Sequence, residues 1–279
     1  MQTIYAPPWD AYELIDAGKG QKLERWGSLV TIRPDSMAYF QPKYDMDNWL
    51  QQADFVFHPT QGVFGEWKAL TQKPFRWTIS FEGVNFMLAL KDTKHTGIFP
   101  EQAINWRLIK EKLGPGSKFL NLFGYTGASS LVGMLQGAEV IHVDSSKSVL
   151  GWANENRTNN AAGIMKLVHE DALLFIQRER KRGAQYDVLQ MDPPAWGNGK
   201  QGKKWKLEDC IEGLLSAASG ILKEDGVLLL NTYSSALRYD SIINLLSHQF
   251  PNKKIQSGAL KSKAKSGKVL EHGYLFKVY

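Results

Sequence analysis

Cysteine is almost absent from this sequence, and long apolar runs are missing altogether. Of 279 residues only Cys210 is a cysteine, which excludes a disulfide framework and a zinc site built from several cysteines, so we expect no metal. No stretch approaches the roughly 18 uncharged apolar residues of a membrane span. The first residues also lack the basic and then apolar pattern of a signal peptide. We therefore expect a cytoplasmic protein that does not associate with a membrane.

Positive charge is unevenly distributed along the chain. The composition, 43% hydrophobic and 22% charged, is that of a folded protein. The net charge of +6 is concentrated in residues 251–279, which hold seven lysines and one acidic residue. Residues 178–182 and 200–206 form two further basic clusters. Such clusters are either solvated faces or sites for a polyanion, and nucleic acid is favoured over a membrane because no amphipathic basic helix accompanies them.

Two patterns of apolar residues divide the chain near residue 94. Residues 1–94 predict short strands and turns, including a hairpin around F-E-G-V, and form a smaller β-rich domain that could serve substrate recognition. Residues 95–279 alternate helices with apolar runs, which predicts an α/β fold with a doubly wound, Rossmann-like, mostly parallel sheet. The last two predicted strands, 252–257 and 274–279, are joined by a short lysine-rich loop, which favours an antiparallel hairpin. The five predicted parallel strands are 118–123, 139–144, 166–171, 186–192 and 227–232.

The ends of the first two parallel strands carry residues typical of a nucleotide site. Gly124 and Gly127 let the backbone turn tightly and approach a ligand before the next helix begins. Asp144 ends the second strand, where an acid can accept both hydroxyls of a ribose. A plain turn into a helix is the alternative for the two glycines, but together with the acid they favour a nucleotide-like cofactor.

The next two strand ends indicate which ligand and which substrate group the site could hold. Asp171 either holds an adenine amino group or caps the following helix. The sequence D-P-P-A-W, residues 192–196, follows the fourth strand, and its two prolines fix a rigid turn whose carbonyls remain acceptors. Carboxylate, carbonyl and the aromatic face of Trp196 then lie in one place. Such a site suits a planar amine.

These motifs together resemble a known family. N-L-F-G-Y-T-G at 121–127, V-D-S-S at 143–146, W-A-x-x-N-x-x-x-N at 152–160, E-D-A at 170–172 and D-P-P-A-W at 192–196 are similar to class I S-adenosylmethionine-dependent methyltransferases. They resemble in particular the group that methylates large-subunit ribosomal RNA. T-G-I-F-P-E-Q at 96–102 is similar to a stretch of that group. The resemblance implies a class I methyltransferase domain over residues 95–279, with S-adenosyl-L-methionine as cofactor.

By this resemblance the methionine part of the cofactor lies over residues 123–127, the ribose on Asp144, and the adenine between Ser145 and Asp171. Packing in the core is the alternative for Phe99 and Phe123. The implied cofactor-binding residues are Thr96, Phe99, Gln102, Asn121, Phe123, Gly124, Tyr125, Thr126, Gly127, Asp144, Ser145, Ser146, Asp171, Ala172 and Asp192.

The chemistry predicted for the fourth strand end is methyl transfer to nitrogen. An exocyclic amine is a poor nucleophile, and acceptors on its two hydrogens, here Asp192 and the Pro193 carbonyl, would restore it while Trp196 stacks on a flipped base. Methylation of a pyrimidine carbon needs a cysteine nucleophile. Cys210 falls in a helical pattern well past the loop, and Tyr233 stands where relatives with that chemistry carry cysteine. We therefore predict methylation of a base nitrogen in RNA, with ribosomal RNA favoured.

Three other functions fit part of the pattern. A methyltransferase acting on a protein side-chain nitrogen would use the same D-P-P-aromatic loop. A nicotinamide-dependent oxidoreductase would use the glycine turn and Asp144 but has no evident need for that loop. A non-catalytic RNA-binding protein would keep the fold without needing the three acids Asp144, Asp171 and Asp192.

Overall fold

A computed structural model describes residues 1–198, 204–234 and 236–279. Of the basic segment predicted at 200–206, Lys200 and Lys203 lie outside the described residues. None of the helices in the described part has the length and apolar character that crossing a membrane requires.

Short strands make up about half of the first hundred residues, as the β-branched and aromatic segments predict. The strands β2 to β6 form one five-stranded sheet in sequence order, and β7 and β8 form a separate hairpin. Phe81 pairs with Val84 across its turn, which confirms the hairpin predicted around F-E-G-V. A 3-10 turn, Pro100–Gln102, ends this part. The elements are β1 Gln2–Tyr5, β2 Tyr12–Gly18, β3 Gln21–Trp26, β4 Leu29–Pro34, α1 Met46–Gln52, β5 Phe55–Gln61, β6 Phe64–Ala69, β7 Arg76–Phe81 and β8 Val84–Ala89.

Helices and strands alternate from residue 103 onward. The apolar runs of five to six residues become buried strands, and turn residues such as Gly137 and Gly183, both with positive φ, end the helices before them. The elements are α2 Ala103–Lys112, β9 Lys118–Leu122, α3 Ala128–Leu135, β10 Glu139–Asp144, α4 Lys147–Thr158, β11 Met165–His169, α5 Ala172–Lys181, β12 Tyr186–Met191, β13 Trp196–Asn198, β14 Lys204–Lys206, α6 Leu207–Ser219, β15 Leu222–Thr232, α7 Tyr239–Gln249, β16 Ile255–Lys263 and β17 Val269–Val278.

The large sheet has eight strands in the order β1-β16-β17-β15-β12-β9-β10-β11. Strands β15, β12, β9, β10 and β11 are parallel to their neighbours in this group. Strand β17 runs antiparallel to β15. Buried Leu120, Leu189 and Leu228 contribute to the core between sheet and helices. The predicted fold class, a doubly wound and mostly parallel sheet with an antiparallel C-terminal hairpin and a β-rich N-terminal part, is therefore confirmed.

The C-terminal hairpin is longer than predicted. Strand β16 continues through Lys261 and Lys263, which were expected in the connecting loop, and β17 begins five residues before the predicted 274. The reason is an alternating pattern: Ser262 and Ala264 are buried, whereas Lys263 and Lys265 are exposed. Lysine is uncommon in strands, so the sequence alone favoured a loop here.

The chain divides into two compact units. The sheet unit comprises Met1–Ile4, Asn105–Ala259 and Gly273–Tyr279, and the N-terminal unit comprises Tyr5–Ile104 and Leu260–His272. The domain boundary that the sequence places after residue 94 stays a prediction. In the N-terminal unit, the indole rings of Trp9, Trp26, Trp49 and Trp67 are buried, so they belong to its core.

Candidate active site

The carboxyl ends of four neighbouring strands of the sheet unit carry most of the predicted site residues. In the sheet, β12, β9, β10 and β11 follow one another and are parallel, so their carboxyl ends lie along one edge. Open sheets of this type bind ligands at that edge. The segments that begin there are residues 123–127, 144–146, 170–172 and 192–196.

The loop of residues 123–127, which we call the glycine loop, has an unusual backbone. Phe123 and Tyr125 have φ values of 57° and 52°, and Gly127 has a φ of 93°. A left-handed conformation is rare for bulky residues, and it is tolerated where the surrounding structure enforces it, commonly at ligand sites. Gly127 also provides no side-chain cap to helix α3, so the first N–H groups of that helix remain donors for a ligand.

A chain of buried polar side chains lies beneath the glycine loop. The Asn121 side-chain amide donates to the Ser130 hydroxyl over 2.9 Å. That hydroxyl is hydrogen-bonded to Nδ1 of His142, also at 2.9 Å. Burial lowers the pKa of His142 to about 4, and a hydrogen bond with the Tyr125 backbone only partly opposes this effect. The imidazole is therefore neutral at physiological pH. Asn121, predicted to bind cofactor, is itself buried and directs its side-chain amide to Ser130.

Space, not backbone angle, requires a glycine at position 124. The φ of Gly124 lies outside the left-handed region, and a Cβ there would lie 2.3 Å and 2.4 Å from two atoms of the His142 ring. From the sequence, this glycine was expected to let the backbone turn tightly and approach a ligand. The structure shows that its main constraint is close packing of the backbone on His142, whereas Gly127 does need its positive φ.

Asp144 joins the glycine loop to the second strand end. Its carboxylate accepts hydrogen bonds from the backbone N–H of Tyr125 at 3.0 Å and of Ser146 at 2.9 Å. Burial raises the pKa of Asp144, and these backbone hydrogen bonds oppose the rise. The Ser145 backbone is a third partner of this carboxylate. A carboxylate has about four lone-pair sites, so it can still accept from a hydroxyl group of a ligand. Ser146 also caps helix α4 through its hydroxyl.

Asn156, within the W-A-x-x-N-x-x-x-N motif, supports the glycine loop from helix α4. The side chain of Asn156 is fully buried and donates to the carbonyl oxygen of Thr126 over 2.9 Å. Asn160 in turn donates to the Asn156 carbonyl over 2.7 Å. The spacing of four residues places both amides on one face of the helix. The motif therefore helps to fix the backbone conformation of the glycine loop.

The third strand end is linked to the second by its backbone. The N–H of Glu170 donates to the carbonyl oxygen of Asp144 over 3.2 Å. The Asp171 carboxylate accepts from the N–H of Leu174 over 3.0 Å and caps helix α5. The cap is thus the role that the structure shows for Asp171, and contact with adenine stays a prediction. Ala172 is buried in the first turn of that helix, and the exposed Ser145 accepts from His169 through its carbonyl oxygen.

The fourth strand end forms a small hairpin, β13 with β14, which was not expected from the sequence. Trp196 pairs with Lys206 and Gly197 with Trp205. The carbonyl oxygen of Ala195 accepts from the N–H of Leu207 at 3.1 Å, which joins the hairpin to helix α6. Asp192 is half-buried and Pro193 is buried, whereas the side chain of Trp196 is 79% exposed. An indole held on a hairpin and open to solvent can stack on a planar group.

Trp205 is a site residue that was not expected from the sequence. Its indole Nε1 donates to the carbonyl oxygen of Pro194 over 2.8 Å. Its ring centroid lies 5.3 Å from that of Phe123. Trp205 thereby connects the glycine loop to the D-P-P-A-W segment. The only sequence signal was its position among the lysines of K-K-W-K, which had been noted for charge alone.

Three predicted residues belong to the N-terminal unit. Thr96 and Gln102 are buried there, and the ring of Phe99 is partly buried against His95 at 5.4 Å between centroids. Their part in a cofactor site stays a prediction. Asn121 lies within strand β9, and the other predicted residues lie on the four adjacent segments of the sheet unit. Their individual roles also stay predictions.

The arrangement defines a class of ligand. A half-buried carboxylate at the second strand end, a strained loop at the first and an uncapped helix N-terminus suit a nucleoside that carries an anionic group. The fold and this edge together are typical of nucleotide-binding proteins of the doubly wound type. The neutral state of His142 beneath the loop leaves the site suitable for a cationic ligand as well.

Comparison with known proteins identifies the family. Residues 57–253 match the family model described as S-adenosylmethionine-dependent methyltransferase, and the chain belongs to this family. Its cofactor is S-adenosyl-L-methionine, whose ribose and amino acid moiety fit the acceptor and donor groups described above. Family membership argues against the nicotinamide-dependent alternative.

Individual relatives agree with this assignment. A crystal structure of the SAM-dependent methyltransferase from Agrobacterium tumefaciens has a TM-score of 0.92 and 34% identity, covering 100% of this chain and 93% of that one. Ribosomal RNA large subunit methyltransferase K/L of Shewanella loihica is 33% identical over 57% of this chain and 22% of its own length. Ribosomal RNA large subunit methyltransferase K of Neisseria meningitidis serogroup B is 28% identical over 69% of this chain and 54% of its own length. The chain thus spans about half or less of these curated relatives.

Proposed function

We propose that the protein methylates a nitrogen atom of a base in RNA, ribosomal RNA being the favoured substrate, with Asp192, Pro193 and Trp196 as catalytic residues. The observation that carries this proposal is the D-P-P-A-W segment, where a half-buried carboxylate, a buried proline and an exposed indole follow one strand end. The names of the two curated relatives support an RNA substrate. A cytoplasmic location is part of the proposal.

The cofactor would be held by the three other strand ends. Asp144 would accept from the ribose hydroxyls, while the glycine loop and the start of α3 would donate to the carboxylate of the methionine part. When bound, the cofactor supplies a methyl group on a positively charged sulfur, which is already activated for displacement. The protein's own task is then to place and activate the nitrogen.

Asp192 and the Pro193 carbonyl would act on the amine. Accepting hydrogen bonds from its two hydrogens keeps electron density on the nitrogen, which is otherwise drawn into the ring. After transfer one of these protons leaves the nitrogen, with Asp192 as its first acceptor. The next two carbonyls, of Pro194 and Ala195, already accept from Trp205 and Leu207. We therefore assign the Pro193 carbonyl to the amine, and Trp196 would hold the flipped base by stacking.

Carbon methylation is disfavoured by the state of the single cysteine. Cys210 lies in helix α6 and is partly buried. Burial, followed by the charges of Asp171 and Asp209, raises the pKa of its thiol. A thiol with a raised pKa is a poorer source of the thiolate needed to attack a pyrimidine ring. Nitrogen remains the atom that the site favours.

Tritium transfer tests the proposal. Purified protein incubated with cofactor labelled in its methyl group and with ribosomal RNA should label the RNA, and Asp192→Ala should reduce the rate by about 100-fold or more, the range of general acid and base catalysis. Asp225→Ala is the matched control, because Asp225 is an exposed aspartate near the amino end of strand β15, away from the carboxyl ends that form the candidate site. This variant should label RNA as the wild type does.

Two outcomes would contradict the proposal. Label that resists ribonuclease and is released by protease would assign the activity to a protein substrate. RNA labelling that Asp192→Ala leaves unchanged would remove Asp192 from the catalytic residues. Circular dichroism of the variant would show that any loss is not a loss of fold.

A further inference from the structure

Residues 38–44 of the N-terminal unit, which we call the Tyr39 segment, present aromatic rings to solvent. The side chain of Tyr39 is 83% exposed, and that of Tyr44 is 38% exposed. This contrasts with the buried tryptophans of the same unit. Single exposed rings are common on protein surfaces, so these rings indicate a binding surface only if the backbone holds them in place.

Hydrogen bonds fix both ends of the Tyr39 segment. The carbonyl oxygens of Ala38 and Phe40, on either side of Tyr39, accept from Gly20 and Lys19 over 2.7 Å and 2.8 Å. At the other end, one carboxylate oxygen of the buried Asp16 accepts from the N–H groups of Lys43 and Tyr44, each at 3.0 Å. A buried carboxylate that binds two backbone donors is a strong anchor.

Packing adds to these anchors. Ala38 is fully buried in a cluster with Leu14, Ala264 and Leu270, and Phe40 packs against it. A Cβ on Gly18 would lie 2.2 Å from the nitrogen of Pro42, so the chain passes against this part of the segment without a gap. Tyr39 therefore projects into water from a rigid backbone. The backbone of the segment would therefore lose little conformational freedom on binding a partner.

Lysine side chains flank the rings. Nζ of Lys43 lies 5.5 Å from the ring centroid of Tyr44. Nζ of Lys268 lies 5.6 Å from that of Phe40, the neighbour of Tyr39. The hydrogen bond with Glu271 raises the pKa of Lys261, and Tyr39 adds a smaller electrostatic effect. Residues 260–272, which include Lys261 and Lys268, hold four lysines against one glutamate.

We propose that the Tyr39 segment, with Lys261 and Lys268, binds a single-stranded stretch of the RNA substrate, with bases stacked on Tyr39 and Tyr44 and phosphates near the lysines. The inference rests on the proposed function for its choice of RNA. Aromatic rings interleaved with lysines are the recurring means of holding single-stranded nucleic acid, because every base has a face that stacks and every nucleotide has a charge. A duplex would hide the bases that these rings need.

Binding to a labelled oligonucleotide tests the inference without methyl transfer. The fluorescence anisotropy of a fluorescein-labelled 12-nucleotide RNA of mixed A and U would be measured against the full-length protein. Tyr39→Ala should weaken binding by about 5- to 150-fold, the loss expected for one stacked base. Tyr39→Phe keeps the ring and should bind as the wild type does. Phe64→Ala removes another exposed ring of the same unit and serves as the control.

Salt dependence tests the role of the lysines. Lys43→Gln and Lys268→Gln should each reduce the slope of log affinity against log salt by about 0.7, the value for one phosphate contact on a single strand. An unchanged slope in both variants would contradict phosphate contact.

The outcomes separate this inference from the proposed function. Equal RNA binding by wild type, Tyr39→Ala and Tyr44→Ala would contradict RNA binding by the Tyr39 segment, even if tritium transfer shows RNA methylation. If no RNA is methylated, the proposed function is wrong. The anisotropy measurement still shows whether the Tyr39 segment binds RNA. Tighter binding of a duplex than of the single strand, with no effect of Tyr39→Ala, would also overturn it.

Discussion

Two buried polar systems, one from each unit, are compensated in different ways. In the sheet unit, Asn121, Ser130 and the neutral His142 form a buried chain without a formal charge. In the N-terminal unit, the fully buried Glu24 pairs with Arg33 at 2.5 Å and 2.9 Å. The first system depends on hydrogen bonds between neutral groups, and the second depends on complete compensation of charge.

The difference between the neutral chain and the charged pair follows from the surroundings of each. The neutral chain underlies the glycine loop, where a cationic ligand would be repelled by a protonated imidazole. In the charged cluster, Glu24 has further partners in the hydroxyl of Tyr12 at 2.8 Å and the amine of Lys22 at 3.5 Å. We infer that neutrality beneath the loop serves binding, whereas the charged cluster serves the shape of the N-terminal unit.

Removing one charge of the buried pair should have the largest effect. Arg33→Met leaves the Glu24 carboxylate buried without its main partner, and we expect a loss of about 3–5 kcal/mol in the free energy of unfolding. Chemical denaturation followed by tryptophan fluorescence measures it. Arg25→Met, on the same sheet but partly exposed and 3.9 Å from Glu13, should cost less than about 1 kcal/mol.

A double variant sharpens this result. Glu24→Gln combined with Arg33→Met removes both charges, so the loss should be smaller than for Arg33→Met alone. A double variant that is less stable by the sum of both single losses would show that the two charges do not compensate each other.

The pH dependence of stability should distinguish the neutral system. The pKa of His142 is lowered to about 4 in the folded protein, whereas an unfolded histidine titrates near 6.5. Between these values the unfolded chain binds a proton that the folded chain does not, so stability should fall as pH falls from about 6.5 to 4, by up to about 3 kcal/mol. His142→Asn should remove this part of the slope. An identical slope in wild type and variant would contradict a neutral, buried His142.

The contribution of Glu24 to stability is lost in a different pH range from that of His142. Burial alone would raise its pKa, but the charges of Arg33 and Lys22 lower it in the folded protein. Its contribution to stability is therefore present above the unfolded value near 4.3 and is lost as pH falls below it. The two systems should thus weaken in successive pH ranges.

The packing of the glycine loop on His142 predicts a smaller change in stability. In Gly124→Ala the new methyl group would overlap the imidazole ring, and overpacking of this kind costs about 1–3 kcal/mol. Because the loop must shift, affinity for S-adenosylhomocysteine, measured by calorimetry, should fall as well. Unchanged affinity and stability would show that the contact with His142 does not constrain the loop.

Gly151→Ala provides the opposite case. Gly151 is exposed within helix α4, and a Cβ there would meet nothing within 4 Å. Alanine favours a helix over glycine, so we expect a gain of about 0.5–1 kcal/mol with cofactor affinity unchanged. A loss of stability in this variant would mean that crowding at Gly124 cannot be inferred from the Gly124→Ala result alone.

Much of the sheet could be predicted from the sequence, because buried parallel strands are apolar runs bounded by turn residues. The grouping of Gly124, Asp144 and Asp192 at one edge followed from the rule for strand ends in such sheets. The hairpin β13–β14 could not be predicted, because each of its strands has only three residues and a single tryptophan stands there among glycine, asparagine or lysine, which have weak strand preference.

Other features depend on contacts between distant residues. The need for glycine at 124 comes from the ring of His142, and the role of Trp205 comes from Pro194 and Phe123. The left-handed backbone of Phe123 and Tyr125 contradicts local preference and is enforced by the surrounding structure. No local pattern carries these interactions, so they become visible only in the folded chain.

A crystal structure with S-adenosylhomocysteine is the most direct test of the central claim that the carboxyl ends of β9, β10, β11 and β12 form one site. We predict ribose hydroxyls hydrogen-bonded to Asp144, the amino acid moiety over residues 123–127, and the sulfur facing Asp192 and Trp196. Density for the nucleoside away from Asp144, or a sulfur atom turned away from Asp192, would contradict the account.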